Sequence, residues 1–295
     1  MKEEKIFNFL KFKNLFIFIF FGIFILSVFS IFYFKPKMGL DFGGGTLIEI
    51  EFEKEKPNSQ EIKQKLSELN LGEVIIQETE KNRVLLKMRK ISEREKSQIF
   101  EKLKDAKEIR SEMVGPTISL ELKRKSLWLT LFSLIAISVY IALAFKRITK
   151  NLSPLVFSTI SFLGLFQNTI FLLGVISVLG KLSNAEFNIS ILIAILTCLG
   201  YGINDTIVLF DRIRENVLKR KTKDLSEIIN SSISQTFSRQ VNTSLVTIFP
   251  VLAILFFKVE SLKFFSMVLV LGILNSTLFS LFVGGSMLRL IIKEL

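Results

Sequence analysis

Six stretches of this chain are apolar for about the thickness of a bilayer, and they limit its fold more than any other property. They lie near 14–34, 127–145, 152–179, 189–210, 241–257 and 264–292. A helix crosses the hydrocarbon core in about 20 apolar residues, and within lipid only helices and closed barrels satisfy every backbone polar group. Runs of this length predict a polytopic α-helical membrane protein with six transmembrane helices. The third and sixth exceed what a bilayer requires, which leaves room for tilt or an emergent end. The first run follows Met1–Lys13, which carries four lysines. It has no small-x-small cleavage site behind it, so it reads as an uncleaved anchor after a short 1–13 cytoplasmic N-terminus.

Charge sets the expected orientation. The N-terminus, the 146–151 and 211–240 loops and the C-terminal end hold 16 Lys and Arg, against three (Lys181, Lys258, Lys263) in the short loops of the opposite side. The positive-inside rule then places both termini in the cytoplasm and residues 35–126 outside. The formal net charge of +12 is mostly this asymmetry. A nucleic-acid partner would need a basic soluble face with aromatic residues, and none is visible.

Residues 35–126 alternate in character as a small folded domain does. Ile48, Ile50 and Phe52 share one face of a strand and Glu49 and Glu51 the other. Asn58-Ser59-Gln60-Glu61 offers a capping box before Ile62, Leu66 and Leu69. Ser92-Glu93-Arg94-Glu95 offers a second before Ile99, Leu103 and Ala106. Val74–Thr79 and Arg83–Met88 read as strands about a Glu80-Lys81-Asn82 turn, and Lys107–Val114 as a last strand. The order β-α-β-β-α-β is that of the split-βαβ, ferredoxin-like α+β sandwich. The five remaining spans make a membrane domain over 127–295. Gly39, Asp41, Phe42, Gly43, Gly44 and Gly45 precede the first strand. The Gly-Lys-Ser/Thr ending of a phosphate loop is missing and a strand follows, so these glycines read as a tight turn or a close backbone approach.

Polar groups at membrane depth are the functional candidates. Asp205, with Asn204 and Thr206 beside it, lies inside the fourth run. An ionisable group there costs roughly 2.5–3.5 kcal/mol on insertion scales and commonly marks an ion or proton path. The alternative is a structural aspartate held by an interhelical hydrogen bond. Arg239 lies where the polar loop enters the fifth run, close enough to the same end that it and Asp205 are expected to approach. Its alternative is an interfacial anchor. Gln167 and Asn168 in the third run and Asn275-Ser276-Thr277 in the sixth read as interhelical glue. Gly200 and Gly202, either side of Tyr201, allow close packing or a local distortion. The chain has no histidine and one cysteine, Cys198, inside the fourth run. That rules out an internal disulfide and a Ser-His-Asp triad, and offers no zinc constellation, so no catalytic hydrolase site and no metal are expected.

Three segments carry a family resemblance: GLDFGGGTLIEI at 39–50, VGPTIS at 114–119 and GYGINDTIVLFDRIREN at 200–216, with SEIINSSISQTFSRQVNTSLVT at 226–247 continuing it. The chain resembles the SecD/SecF family, on its SecF side, within the resistance-nodulation-division superfamily. The resemblance implies a multi-pass subunit of the cytoplasmic (inner) membrane that joins SecD. It also implies association with the SecYEG translocon and its accessory subunits, and work on exported polypeptides. The proton-motive force, rather than a cofactor, would drive late steps of export. It further implies that Asp205 and Arg239 serve the proton path. Family members often have a His-Asp pair in the third span where this chain has Gln167-Asn168, so a titrating role there is not expected. Burial disfavours a charged carboxylate and a nearby guanidinium favours it, and their competition can poise a proton carrier. The rival readings are a small-molecule or lipid exporter half of the same superfamily and a passive translocon assembly factor.

Overall fold

The computed structural model describes residues 8–53, 57–72, 74–78, 82–146, 153–219, 224–257 and 262–292. After a 3-10 turn at Phe9–Phe12, the elements begin with α1 (Lys13–Phe34), α2 (Leu40–Gly43), β1 (Gly45–Phe52), α3 (Ser59–Ser67), β2 (Ile75–Glu78) and β3 (Arg83–Met88). They continue with α4 (Glu93–Lys102), β4 (Ala106–Val114), α5 (Pro116–Ala144), α6 (Pro154–Ser183), α7 (Ile189–Lys219), α8 (Leu225–Phe256) and α9 (Lys263–Leu278). A π-helical segment, Phe279–Gly284, leads from α9 into α10 (Gly285–Ile291). The chain forms two units: Met1–Lys37, Trp128–Glu186 and Ser190–Leu295 in one, and Met38–Leu127 with Phe187–Ile189 in the other.

In the larger unit, six helices are long and apolar enough to cross a membrane, the last running from α9 through α10. The most apolar stretches of α1, α5 and α8 are only 17%, 11% and 17% buried, against 72% for the last helix, so the last helix is central. Small residues set the closest approaches, as expected where dispersion rather than hydrophobic burial drives association. A Cβ on Gly174 of α6 would sit 2.9 Å from the Ser27 Cα of α1. Beside it the Ser30 hydroxyl donates to the Gly174 carbonyl at 3.0 Å. A Cβ on Gly272 of α9 would meet Cys198 Sγ of α7 at 2.4 Å, and one on Gly202 would meet Ser276 Cβ at 2.9 Å. Phe145, Phe157 and Phe210 fill the core at one end, with ring centroids 5.3 Å apart for the first two and 4.9 Å for the last two.

The smaller unit is an antiparallel four-stranded sheet in the order β2-β3-β1-β4. Alternate residues of β1, Ile48, Ile50 and Phe52, are buried and join Val84, Leu86, Ile62, Leu66, Ile99 and Leu103 in one core. A bulge between Glu49 and Ile50 shifts the β1–β4 register. Asn58 caps α3 by accepting from the Gln60 N–H at 3.4 Å. At α4 both arms of the capping box form: the Glu95 N–H donates to Ser92 Oγ at 3.3 Å, and the Ser92 N–H to Glu95 Oε2 at 2.8 Å.

Three helices begin or end outside the apolar runs. Helix α5 starts at Pro116 rather than near 127, because Pro is preorganised for a first helical position and the charged stretch after it supports itself through a Lys125–Glu121 pair at 2.7 Å. Helix α7 continues to Lys219 through Arg212–Glu215 and Lys219–Glu215 pairs at 2.7 and 2.5 Å. Helix α8 starts at Leu225, capped by Asp224, and buries Ile228, Ile229 and Ile233 well before residue 241. The expected turn at Glu80-Lys81 and several residues of the charge argument (Arg147, Lys150, Lys221, Lys258) lie outside the described residues.

Candidate functional site

Asp205 is buried to 1% exposure on the face of α7 that meets α8 and α9. Its Oδ2 accepts from the Thr277 hydroxyl of α9 at 2.7 Å. Thr277 Oγ1 lies 2.7 Å from Ser244 Oγ of α8, and the Tyr201 hydroxyl donates to that same Ser244 oxygen at 3.1 Å. Gln240, one turn before Ser244, donates from Nε2 to the Asp205 backbone carbonyl at 3.3 Å, while its Oε1 is buried without a partner among the described residues. Three helices therefore meet at Asp205: the Thr277 hydroxyl bonds its carboxylate, Ser244 and Tyr201 continue from Thr277, and the Gln240 amide bonds its backbone carbonyl.

The local sequence explains this convergence. Residues 232, 236, 240 and 244 follow the i, i+4 rule and line one face of α8. They are Ser232, Thr236, Gln240 and Ser244, and all are buried. Gly202 allows α9 to approach α7 where Ser276 and Thr277 lie. Thr206 is buried as well, but its hydroxyl turns back to the Gly202 carbonyl at 3.0 Å.

The expected approach of Arg239 to Asp205 is not made. Arg239 is exposed, and among the described residues it forms no ion pair. The reason is angular: consecutive helical residues lie about 100° apart, so placing Gln240 against α7 turns Arg239 away. Asn204 is likewise exposed and takes no part in the Asp205 cluster. Gln167 and Asn168 form a separate clip. Both accept from Asn275 Nδ2 of α9, at 3.0 and 2.8 Å. Gly200 faces open space, with nothing within 4 Å of a built Cβ. Sequence reasoning missed Gln240, Ser244 and Tyr201 and treated Thr277 as glue. The available signal was the four-residue repeat of uncharged polar residues, Ser232, Thr236, Gln240 and Ser244, that leads into the fifth apolar run.

The glycine-rich segment is a junction within the smaller unit. Gly44 and Gly45 have φ of +71° and +129°, and a Cβ on Gly45 would meet the Met88 carbonyl at 2.4 Å. A Cβ on Gly44 would come within 3.2 Å of Ser119 Oγ and 3.4 Å of the Val114 carbonyl, so the 39–50 and 114–119 motifs touch. Glycine lets the backbones close there. The Gly39 N–H donates to the Phe187 carbonyl at 2.9 Å, and Phe42 stacks on Phe187 at 5.1 Å. Asp41 Oδ2 accepts from the Ile189 N–H at 3.0 Å, capping the first residue of α7. The segment between α6 and α7 thus belongs with the small sheet, which the sequence did not disclose. Gly43 closes α2 and leads into this turn.

The family model of the protein export membrane protein SecD/SecF C-terminal region matches residues 95–294, and the SecD/SecF GG motif matches 29–56. Protein translocase subunit SecF of Calditerrivibrio nitroreducens is 32% identical over 304 residues, covering 99% of this chain and 96% of that protein. The subunit of the same name from Sebaldella termitidis is 35% identical over 278 residues, covering 90% and 86%. The crystal structure of SecDF, a translocon-associated membrane protein from Thermus thermophilus, superposes with a TM-score of 0.84 at 29% identity. That match covers 99% of this chain but 39% of the SecDF chain, so the present chain spans about two fifths of that protein. SecDF in its super-membrane-facing form gives 0.68. The chain belongs to the SecD/SecF family of protein export membrane proteins, on its SecF side.

Proposed function

We propose that this chain is the SecF-type half of a proton-driven export unit. It assembles with SecD beside the SecYEG translocon and its accessory subunits in the cytoplasmic membrane, both termini inside, and helps move exported polypeptides outward in late stages of translocation. It acts without a catalytic hydrolase site or a cofactor. Its small unit, read as a split-βαβ, ferredoxin-like sandwich, lies outside and works against the emerging chain. One proton crossing a potential of about 150 mV supplies roughly 3–4 kcal/mol, enough to bias a two-state element.

The observation that carries this reading is Asp205: a carboxylate at 1% exposure in a spanning helix, bonded by the neutral Thr277 hydroxyl, with no cation against it among the described residues. In the charged form it lacks the counter-charge that a purely structural buried ion needs, and in the neutral form it is well accommodated. A site that favours the loaded form while it stays closed suits a proton carrier. Arg239, turned away from Asp205 beside the buried Gln240, would join the path only on rearrangement of α8.

Asp205→Asn tests the reading. It keeps the shape and removes titration, so proton-stimulated export should be abolished while assembly with SecD persists, and Asp205→Glu should retain part. Full export in Asp205→Asn at normal protein level, measured under an imposed proton gradient, would leave Asp205 a structural residue and favour a passive assembly role.

A further inference from the structure

We propose that Tyr201, Ser244 and Thr277 form a hydroxyl relay through which Asp205 gains and loses its proton. The inference rests on the proposed role of Asp205 as a proton carrier and supplies the route. The distances from Tyr201 Oη to Ser244 Oγ, Ser244 Oγ to Thr277 Oγ1 and Thr277 Oγ1 to Asp205 Oδ2 are 3.1, 2.7 and 2.7 Å. All are within hydrogen-bond range. The three hydroxyls come from α7, α8 and α9, so no single helix imposes the alignment. Asp205, Ser244 and Thr277 are 1%, 4% and 6% exposed, whereas Tyr201 is half-buried. The chain of hydroxyls therefore leaves the interior at Tyr201. The open space beside Gly200 lies at that same end.

The donor directions favour inward delivery. Tyr201 donates to Ser244 and Thr277 donates to Asp205. When Ser244 donates to Thr277, every proton points toward the carboxylate. A concerted shift then moves one proton along each link. Asp205 takes the Thr277 proton, Thr277 takes that of Ser244, Ser244 takes that of Tyr201, and Tyr201 is reprotonated by a hydronium ion that reaches its exposed side. The balance is one hydronium and one carboxylate converted to water and a carboxylic acid, each hydroxyl regaining what it gave.

Ser244 also provides a break. Its single proton has a second acceptor, the Gln240 carbonyl, at 2.9 Å. Turned that way, Ser244 cannot donate to Thr277 and the inward sequence is interrupted. A small rotation of one hydroxyl thereby opens or closes the wire. Tyr201 lies four residues, roughly 6 Å, nearer the Ile189 end of α7 than Asp205. In the proposed orientation that is the outer side, so the relay is the entry limb of the path.

The test is proton uptake into vesicles that contain the full chain with its membrane partners and a trapped pH-sensitive dye, with flux normalised to folded complex. Tyr201→Phe, Ser244→Ala and Thr277→Val should each slow uptake by roughly tenfold or more. Thr277→Ser, which restores the hydroxyl, should recover most of what Thr277→Val loses. A merely structural role would change melting and leave normalised flux alone. Asp205→Asn in the same assay separates the two levels of the argument. If it blocks uptake while Tyr201→Phe and Ser244→Ala carry wild-type flux, the relay is wrong and the carrier stands. If Asp205→Asn itself carries wild-type flux, both fall. Should Ser244→Ala fail to assemble, Tyr201→Phe at the half-buried end decides.

Discussion

Individual residues in this chain are read best by what a methyl group or a charge would meet. Gly164 and Gly200 are both helical glycines in apolar segments, yet a Cβ on Gly164 would come 2.3 Å from the ring of buried Phe279, while one on Gly200 meets nothing. Gly164→Ala should therefore destabilise by about 1–3 kcal/mol through overpacking. Gly200→Ala should be neutral or slightly stabilising, since alanine is the better helix former. Thermal unfolding in detergent should separate the two by several degrees, and equal melting would refute the packing argument. The same logic applies to Arg239. It is exposed and unpaired among the described residues, so Arg239→Gln should change stability by less than about 0.5 kcal/mol even if export suffers. A large drop in melting temperature would show that the guanidinium is part of the packed interior. The sequence exposed Asp205 because a lone carboxylate among apolar residues is conspicuous. It hid Gln240, Ser244 and Thr277 because hydroxyls and amides are common in membrane helices and acquire meaning only from the neighbouring helix that receives them. It also misdirected the pairing of Arg239, since two residues at similar depth meet only if their angular positions agree.

At the scale of elements, legibility followed the strength of the local signal. The alternation in β1 and the Ser92 capping box are written in adjacent residues, and both are present in the fold. The extension of α7 and α8 beyond the apolar runs was not, because amphipathic helix ends look like loops to a hydropathy argument. The π-helical segment Phe279–Gly284 has no pattern in the sequence. It begins two residues after Thr277, and such segments recur near functional sites. The capping box makes a quantitative expectation. The bonds from the Ser92 backbone N–H, the Arg89 side chain and the Ser92 hydroxyl hold Glu95 down from its ordinary value of 4.5 to about 2. A carboxylate depressed in the folded state contributes stability that is fully present above about 4.5 and lost as pH falls through about 2. Ser92→Ala should cost about 1 kcal/mol at neutral pH. It should also flatten the acid limb of unfolding between those two values. Circular dichroism melts of the 39–120 segment at stepped pH would show it, and an unchanged acid limb in Ser92→Ala would mean that the box does not act in solution.

At the scale of the whole molecule, the proposed orientation in the membrane rests on charge, and charge leaves a direct experimental handle. Lys and Arg outnumber their counterparts on the opposite side by 16 to 3, which under the positive-inside rule predicts that both termini lie in the cytoplasm. The small unit is too long a segment to vote in that rule, so its expected place outside is a consequence of the prediction rather than an input to it. Glu61 is exposed on α3 of that unit, and Lys221 lies between α7 and α8. A cysteine-free background is needed first. Cys198 is the natural cysteine, buried against Gly272, whose missing Cβ makes room for the thiol, so Cys198→Ala removes one sulfur atom and leaves only a small void. In that background, Glu61→Cys should react with an impermeant thiol reagent in intact cells. Lys221→Cys should react only after the membrane is opened. The reverse pattern would invert the chain and move the half-buried Tyr201 end of the Asp205 cluster to the cytoplasmic half. The direction of proton entry and the face presented to the emerging polypeptide therefore depend on this one labelling result.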